Sequence, residues 1–242
     1  MVKYGKTKYI IILSLCFISC MLTGCATIFS NPKGQDEVEK RLAEVSPNES
    51  FTFKEVERRG GLPKHDTYYF ASDERDFTIK VYSAVAQDNL QGIYLPLYYK
   101  YIYINYPGVV KQLYFDDAVN IIEASELYSP IAHEWTKEDL EHVSFDIEKQ
   151  FVVTDIEDFA EVVSIISNVN EIYSEEIKYN GEEWTKENPL FIIGVLWYDE
   201  SAEEHQYTSL GTFKIDGIAS YDEIDNQLRN TYKEKKEEGL IP

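Results

Sequence analysis

Nine consecutive residues, Leu190 to Tyr198 (LFIIGVLWY), carry no charge in a chain that is 27% charged. A short run of this kind, rich in β-branched and aromatic residues, reads as a central strand covered on both faces or packed under helices. The segment QYTSLGTFKID, Gln206 to Asp216, follows as its hairpin partner. A chain built around such a strand needs helices or further strands to cover it, and the rest of the sequence is expected to supply them.

Covering helices are legible on both sides of the run. Phe159, Val162, Ile166, Val169 and Tyr173 recur at helical spacing behind Thr154-x-x-Glu157, which has the capping-box pattern. Ser220-x-x-Glu223 repeats that pattern before a helix on Ile224 and Leu228, which KEKKEEG is expected to fray into solvent. Ahead of the first of these helices, SFDIEKQFVV alternates Phe145, Ile147, Phe151 and Val153 as a strand. YNGEEWTKENP is expected to be a loop.

The first half has its own elements. QDEVEKRLAEVS places Val38, Leu42 and Val45 on one helical face, and Pro47 ends that helix. FTFKEVERR, TYYFAS and RDFTIKVYSAV read as strands joined by a GGLPKHD turn and a tight SDE turn. In the last of them Phe77, Ile79 and Val81 share one face, while Asp76, Thr78, Lys80 and Tyr82 share the other, the signature of a half-buried antiparallel strand. Six tyrosines then fall between Tyr94 and Tyr106. Read as a strand, this run points Leu97, Tyr99, Tyr101 and Tyr103 one way. After Pro107 a helix with Val110, Leu113, Ala118, Ile121, Ile122 and Leu127 on its apolar side is expected, closed by Pro130.

Antiparallel hairpins with helices beside them define an α+β fold, with antiparallel sheets and packed helices in two lobes of similar size after an N-terminal signal segment. The expected lobes span residues 36–130 and 140–238, with the boundary between Pro130 and Asp139. Each half holds similar parts, though no residue-level repeat relates them.

All three cysteines lie in CFISCMLTGC, residues 16–25. Before them Lys3, Lys6 and Lys8 form a basic stretch, and Ile10 to Leu22 is 13 residues without a charge. That is the n-region and h-region pattern of a secretory signal, shorter than the roughly 20 residues a spanning helix needs. LTGC, Leu22 to Cys25, resembles the lipobox of bacterial lipoproteins. The resemblance covers the first tenth of the chain. It implies a diacylglyceryl group on the Cys25 thiol, cleavage between Gly24 and Cys25, and a mature chain anchored by two acyl chains, which hold stably where one does not. Residues 1–24 are then the signal peptide and 25–35 a polar tether. Cys16 and Cys20 are ordinary apolar residues of the signal and leave with it, so the body folds without disulfides. The body also loosely resembles small lipoproteins of low-GC Gram-positive bacteria, whose Lys-, Ile-, Tyr- and Glu-rich wording it shares.

The formal charge of −20 becomes −23 once the three signal lysines are removed. Such a surface repels nucleic acid and anionic headgroups. The partners it permits are the membrane, through the lipid on Cys25, and a basic peptide or a component of the cell envelope.

Catalytic signatures are absent from the sequence. No G-x-S-x-G, P-loop, G-x-G-x-x-G or C-x-x-C occurs. His133 and His142 stand nine residues apart, which on a helix turns them to opposite sides, and His65 and His205 read as surface residues. The sequence therefore nominates no catalytic residue, metal or cofactor. Tyr99, Tyr101 and Tyr103 are its candidate ligand-binding residues, since a tyrosine row offers apolar plates with hydroxyls to a sugar or peptide. The expected function is a membrane-anchored extracytoplasmic lipoprotein that binds rather than catalyses. A cell-envelope hydrolase, and a protective lipoprotein that sequesters a cationic peptide, are the alternatives.

Overall fold

The computed structural model describes residues 31–60, 64–88, 97–130, 149–202 and 207–242. The fold is α+β, with helices and two sheets in two compact units that meet between Tyr106 and Pro107. The expected signal segment and lipobox, and residues 131–148, lie outside the described residues.

In the first unit, helix α1 (Gln35–Val45) precedes four strands: β1 (Phe51–Arg59), β2 (His65–Ser72), β3 (Thr78–Asp88) and β4 (Leu97–Ile104). They pair in sequence order as an antiparallel meander. Register decides which side chains share a face. Tyr68 opposes Val81, and Phe70 opposes Ile79. All four are buried, as are Val38 and Leu42 of α1. The chain entering α1 is pinned to this same face, because the Lys33 carbonyl accepts hydrogen bonds from Ser83 Oγ at 2.9 Å and Tyr68 Oη at 3.3 Å. The alternation expected around Ile79 and Val81 is therefore present, with Phe77 half-buried just before the strand.

The second unit opens with α2 (Tyr106–Glu123), whose first residue closes the first unit. Strand β5 (Lys149–Val153) leads through a 3-10 turn to α3 (Phe159–Ser174). The short helices α4 (Ile177–Asn180) and α5 (Glu182–Glu187) follow, then β6 (Ile192–Tyr198), β7 (Tyr207–Lys214) and α6 (Tyr221–Glu237). The central strand is β6, parallel to β5 and antiparallel to β7. The parallel pairing comes from the α3 crossover, which returns the chain to the end from which β5 began. Phe159, Val162, Ile166, Val169 and Tyr173 of α3 are all buried in one core with Ile193, Val195 and Trp197 of β6 and Ile224 and Leu228 of α6.

Three expectations change. Helix α2 does not complete the first lobe: Ala118 and Ile122 belong to the second core, and Val152 donates to the Leu127 carbonyl at 2.8 Å, tying the segment after α2 to β5. The chain therefore divides some 25 residues before the expected boundary, whose residues after Pro130 are not described. The capping box before α3 is shifted by one residue. Asp155, not Thr154, accepts from Glu157 N, and Asp158, not Glu157, reaches back to the Asp155 N–H. The short Asp side chains close this box around a 3-10 turn that precedes the α-helix proper. The expected loop YNGEEWTKENP is instead largely the end of α4 and all of α5, hinged at Gly181 with φ +84°. The Ser220–Glu223 box is present as expected.

Gly217, between β7 and α6, is the glycine on which packing turns most. It sits at φ +81°, and a Cβ there would lie 2.7 Å from Ser174 Cα. Its N–H donates to Asn170 Oδ1 at 2.7 Å, while Asn170 Nδ2 donates to the Ala219 carbonyl at 2.6 Å. One buried asparagine thus clamps the loop onto the end of α3.

Candidate functional site

The face of the first sheet opposite α1 carries the candidate site. Cross-strand partners share a face, so the pairs Tyr82–Tyr103 and Ala84–Tyr101 put Tyr82 beside the β4 tyrosines. Tyr69, opposite Lys80, lies on the same face. Exposure is 39% for Tyr82, 50% for Tyr99, 39% for Tyr101 and 53% for Tyr103. These are four of the few large hydrophobic side chains that the described residues leave in water. The rings are neighbours: centroids lie 5.9 Å apart for Tyr99 and Tyr101, and 6.4 Å for Tyr82 and Tyr103. Lys80 Nζ sits 5.6 Å from the Tyr69 ring centroid, within cation–π range.

Strand geometry is the cause. A strand points every second side chain to one side, so Tyr99, Tyr101 and Tyr103 project together as expected, while Ile102 and Ile104 turn inward and are half-buried. The sequence placed Tyr82 on the outer face of its own strand. What it lacked was the β3–β4 register, which sets Tyr82 directly across from Tyr103.

The formal charges on this face are mixed, and Asp88 of β3, opposite Leu97, falls on it by register. By register Glu55 and Glu57 of β1 and Lys80 of β3 lie on the tyrosine side, while Arg59, the last residue of β1, lines a cavity at that strand end. Partial burial comes first among the causes that raise the Tyr69 hydroxyl above its ordinary value, and the neighbouring Glu57 carboxylate adds to it. Tyr69 is therefore a neutral hydroxyl at physiological pH.

Two buried carboxylates have defined partners elsewhere. Glu49, its side chain fully enclosed, accepts from Arg75 Nε at 2.9 Å, Arg75 Nη2 at 2.5 Å, Ser72 Oγ at 2.5 Å and Tyr106 Oη at 2.8 Å. Burial by itself raises this carboxyl. The hydrogen bonds from Arg75, Ser72 and Tyr106 and the Arg75 charge outweigh it and hold Glu49 below the usual carboxylate range. The network fastens the β2–β3 turn to the chain after α1 and to Tyr106. In the second unit Glu176 is fully buried and accepts from Tyr114 Oη at 2.9 Å and from Asn180 Nδ2.

His65 is half-buried on β2, whereas His133, His142 and His205 lie outside the described residues, as do Gly24 and Cys25. Among the described residues no group of three or more His, Cys, Asp or Glu side chains is placed to hold a metal, and no helix is long and apolar enough to cross a membrane. Cavities occur in each unit. One of about 520 Å³ lies at the ends of β1 and β2 beside the start of α1, and one of about 320 Å³ lies between β7 and α6.

Compared with known proteins, the chain matches no protein family, no curated protein and no solved structure.

Proposed function

We propose that the chain is a lipoprotein anchored through Cys25 on the extracytoplasmic face of the cell membrane, and that the tyrosine face of its first unit binds cell-envelope glycan without chemical turnover. The anchor is supported by the LTGC box and the basic and apolar regions before it. The binding role rests on one observation: Tyr82, Tyr99, Tyr101 and Tyr103 are exposed together on one sheet face. Contiguous apolar rings left in water mark a contact surface. A tyrosine presents a flat plate to a sugar ring and a hydroxyl to its polar edge.

The test uses full-length chain and purified envelope polysaccharide in a sedimentation assay. The triple variant Y99A/Y101A/Y103A is expected to lose more than about tenfold in affinity. Equal binding by the triple variant, or none by the native chain, overturns the glycan reading. The anchor is read separately by metabolic labelling with palmitate. Label must appear on the native chain and vanish in Cys25→Ser.

A further inference from the structure

The 520 Å³ cavity of the first unit is basic in a strongly acidic chain. Arg58, Arg59 and Lys64 line it, with Asp66 as the only acid among its described lining residues. Two of the five arginines in the sequence are therefore gathered at one strand end. Asp66 stands opposite Arg58 in the ladder, yet no ion pair joins them. Among the described residues neither Arg58 nor Arg59 hydrogen-bonds or pairs through its side chain, and Lys64 Nζ makes one long contact, 3.5 Å to Asn31 Oδ1. With 43 acids against 23 bases, arginines are the side chains most easily satisfied internally. Two left unpaired beside a third cation are poised for an external anion.

The cavity's remaining wall suits the same ligand. Asn31 adds an amide, and Gly34, the residue before α1, and Gln35, its first, border the space with no side chain capping the helix start. Guanidinium forks match the oxygens of a phosphate group two at a time. Asn31 also lies six residues beyond Cys25, a length of at most about 20 Å when extended.

We infer that Arg58, Arg59 and Lys64 form a binding site for a phosphate-bearing anion, and that its occupant is the headgroup phosphate of an anionic phospholipid. The choice of headgroup rests on the anchor proposed above. The phosphate site itself does not. Bound there, a headgroup would dock the domain on the leaflet despite the repulsion that the overall charge imposes.

Full-length chain in neutral detergent is titrated calorimetrically with micelles containing phosphatidylglycerol, with micelles containing phosphatidylcholine alone, and with inorganic phosphate. Saturable binding to phosphatidylglycerol, weakened at least about tenfold in R58Q/R59Q, supports the headgroup. R58K/R59K keeps the charge but loses the forked geometry and should fall between the two. K178Q/K233Q removes equal charge from the second unit and should bind as the native chain does. Binding of inorganic phosphate that depends on Arg58 and Arg59, without preference between the two micelles, keeps the site and replaces the headgroup with free phosphate. Equal titrations for native chain and R58Q/R59Q with every probe overturn the inference. Palmitate labelling at Cys25 reports on the anchor independently of all three titrations.

Discussion

The two sheets use similar residues in opposite ways. Strand β6 is buried at six of its seven positions, on both faces, and its sequence runs apolar without alternation. Strand β4 has one face in water, and there it places Tyr99, Tyr101 and Tyr103 while isoleucines turn inward. Burial on both sides removes the polar–apolar rhythm by which strands are usually recognised. Exposure on one side restores the rhythm, but on β4 the outer positions are filled by aromatic rings instead of charged or small polar groups. A strand that needed only to be soluble has no need of that choice, and on the function proposed above the outer face of β4 serves contact more than packing.

This contrast can be broken by truncation. Ile193→Ala on β6 removes three buried carbons from the second core and is expected to cost about 2–5 kcal/mol. All three tryptophans, Trp135, Trp184 and Trp197, follow Tyr106, so tryptophan fluorescence during urea unfolding reads the second unit. A loss under about 1 kcal/mol would mean that β6 is less enclosed than its packing implies.

The first unit compensates for its open face with a polar fastening. Arg75→Ala leaves Glu49 enclosed without its cation, and about 3 kcal/mol of stability is expected to go with it. The pH dependence has a definite sign. Glu49 is held below the usual carboxylate range in the folded state. Its contribution is therefore fully present above the unfolded-state value, about 4, and is lost as pH falls through the lower folded-state value. Urea midpoints followed by circular dichroism from pH 7 to pH 3 should show a steep acid-side loss in the native chain and a shallower one in Arg75→Ala. Parallel curves would show that the network is not what carries the acid sensitivity.

Much of the fold was legible because it depends on local periodicity. The stripe from Phe159 to Tyr173, the Ile224 and Leu228 face and the Phe77 to Val81 alternation all follow from side-chain repeat alone. The hairpin of β6 and β7 followed from adjacency. Two failures were local, the capping box shifted by one residue and the helices α4 and α5 in the expected loop, and the others depended on distance. Nothing in the residues of α2 says which sheet Ala118 and Ile122 will face. The strand–helix–strand order before β6 carried a parallel-pairing signal that the neighbouring hairpins obscured. The tyrosine row was visible, but its extension to Tyr82 required the β3–β4 register. The Glu49 network joins residues up to 57 apart in sequence, and the arginine-lined cavity combines a strand end with the start of a helix. Neither has a one-dimensional signature.

The smallest expected effect is the most informative about β4. Tyr101 is exposed at 39% and faces Ala84 across the ladder, with the Tyr99 ring beside it. Tyr101→Ala removes a large ring yet opens no enclosed cavity, because solvent already reaches the site. The lost contact with Tyr99 and the lower strand propensity of alanine each contribute only tenths of a kcal/mol. The unfolding midpoint read by circular dichroism should therefore shift by no more than about 0.5–1 kcal/mol, several-fold less than for Ile193→Ala. A loss of more than about 2 kcal/mol would place Tyr101 among the packing residues and remove the difference between the two sheets. A small loss, with the fold intact, leaves the ring without a structural reason to be there, and makes single tyrosine variants clean reagents for ligand binding: any affinity they lose is lost at the surface and not through unfolding.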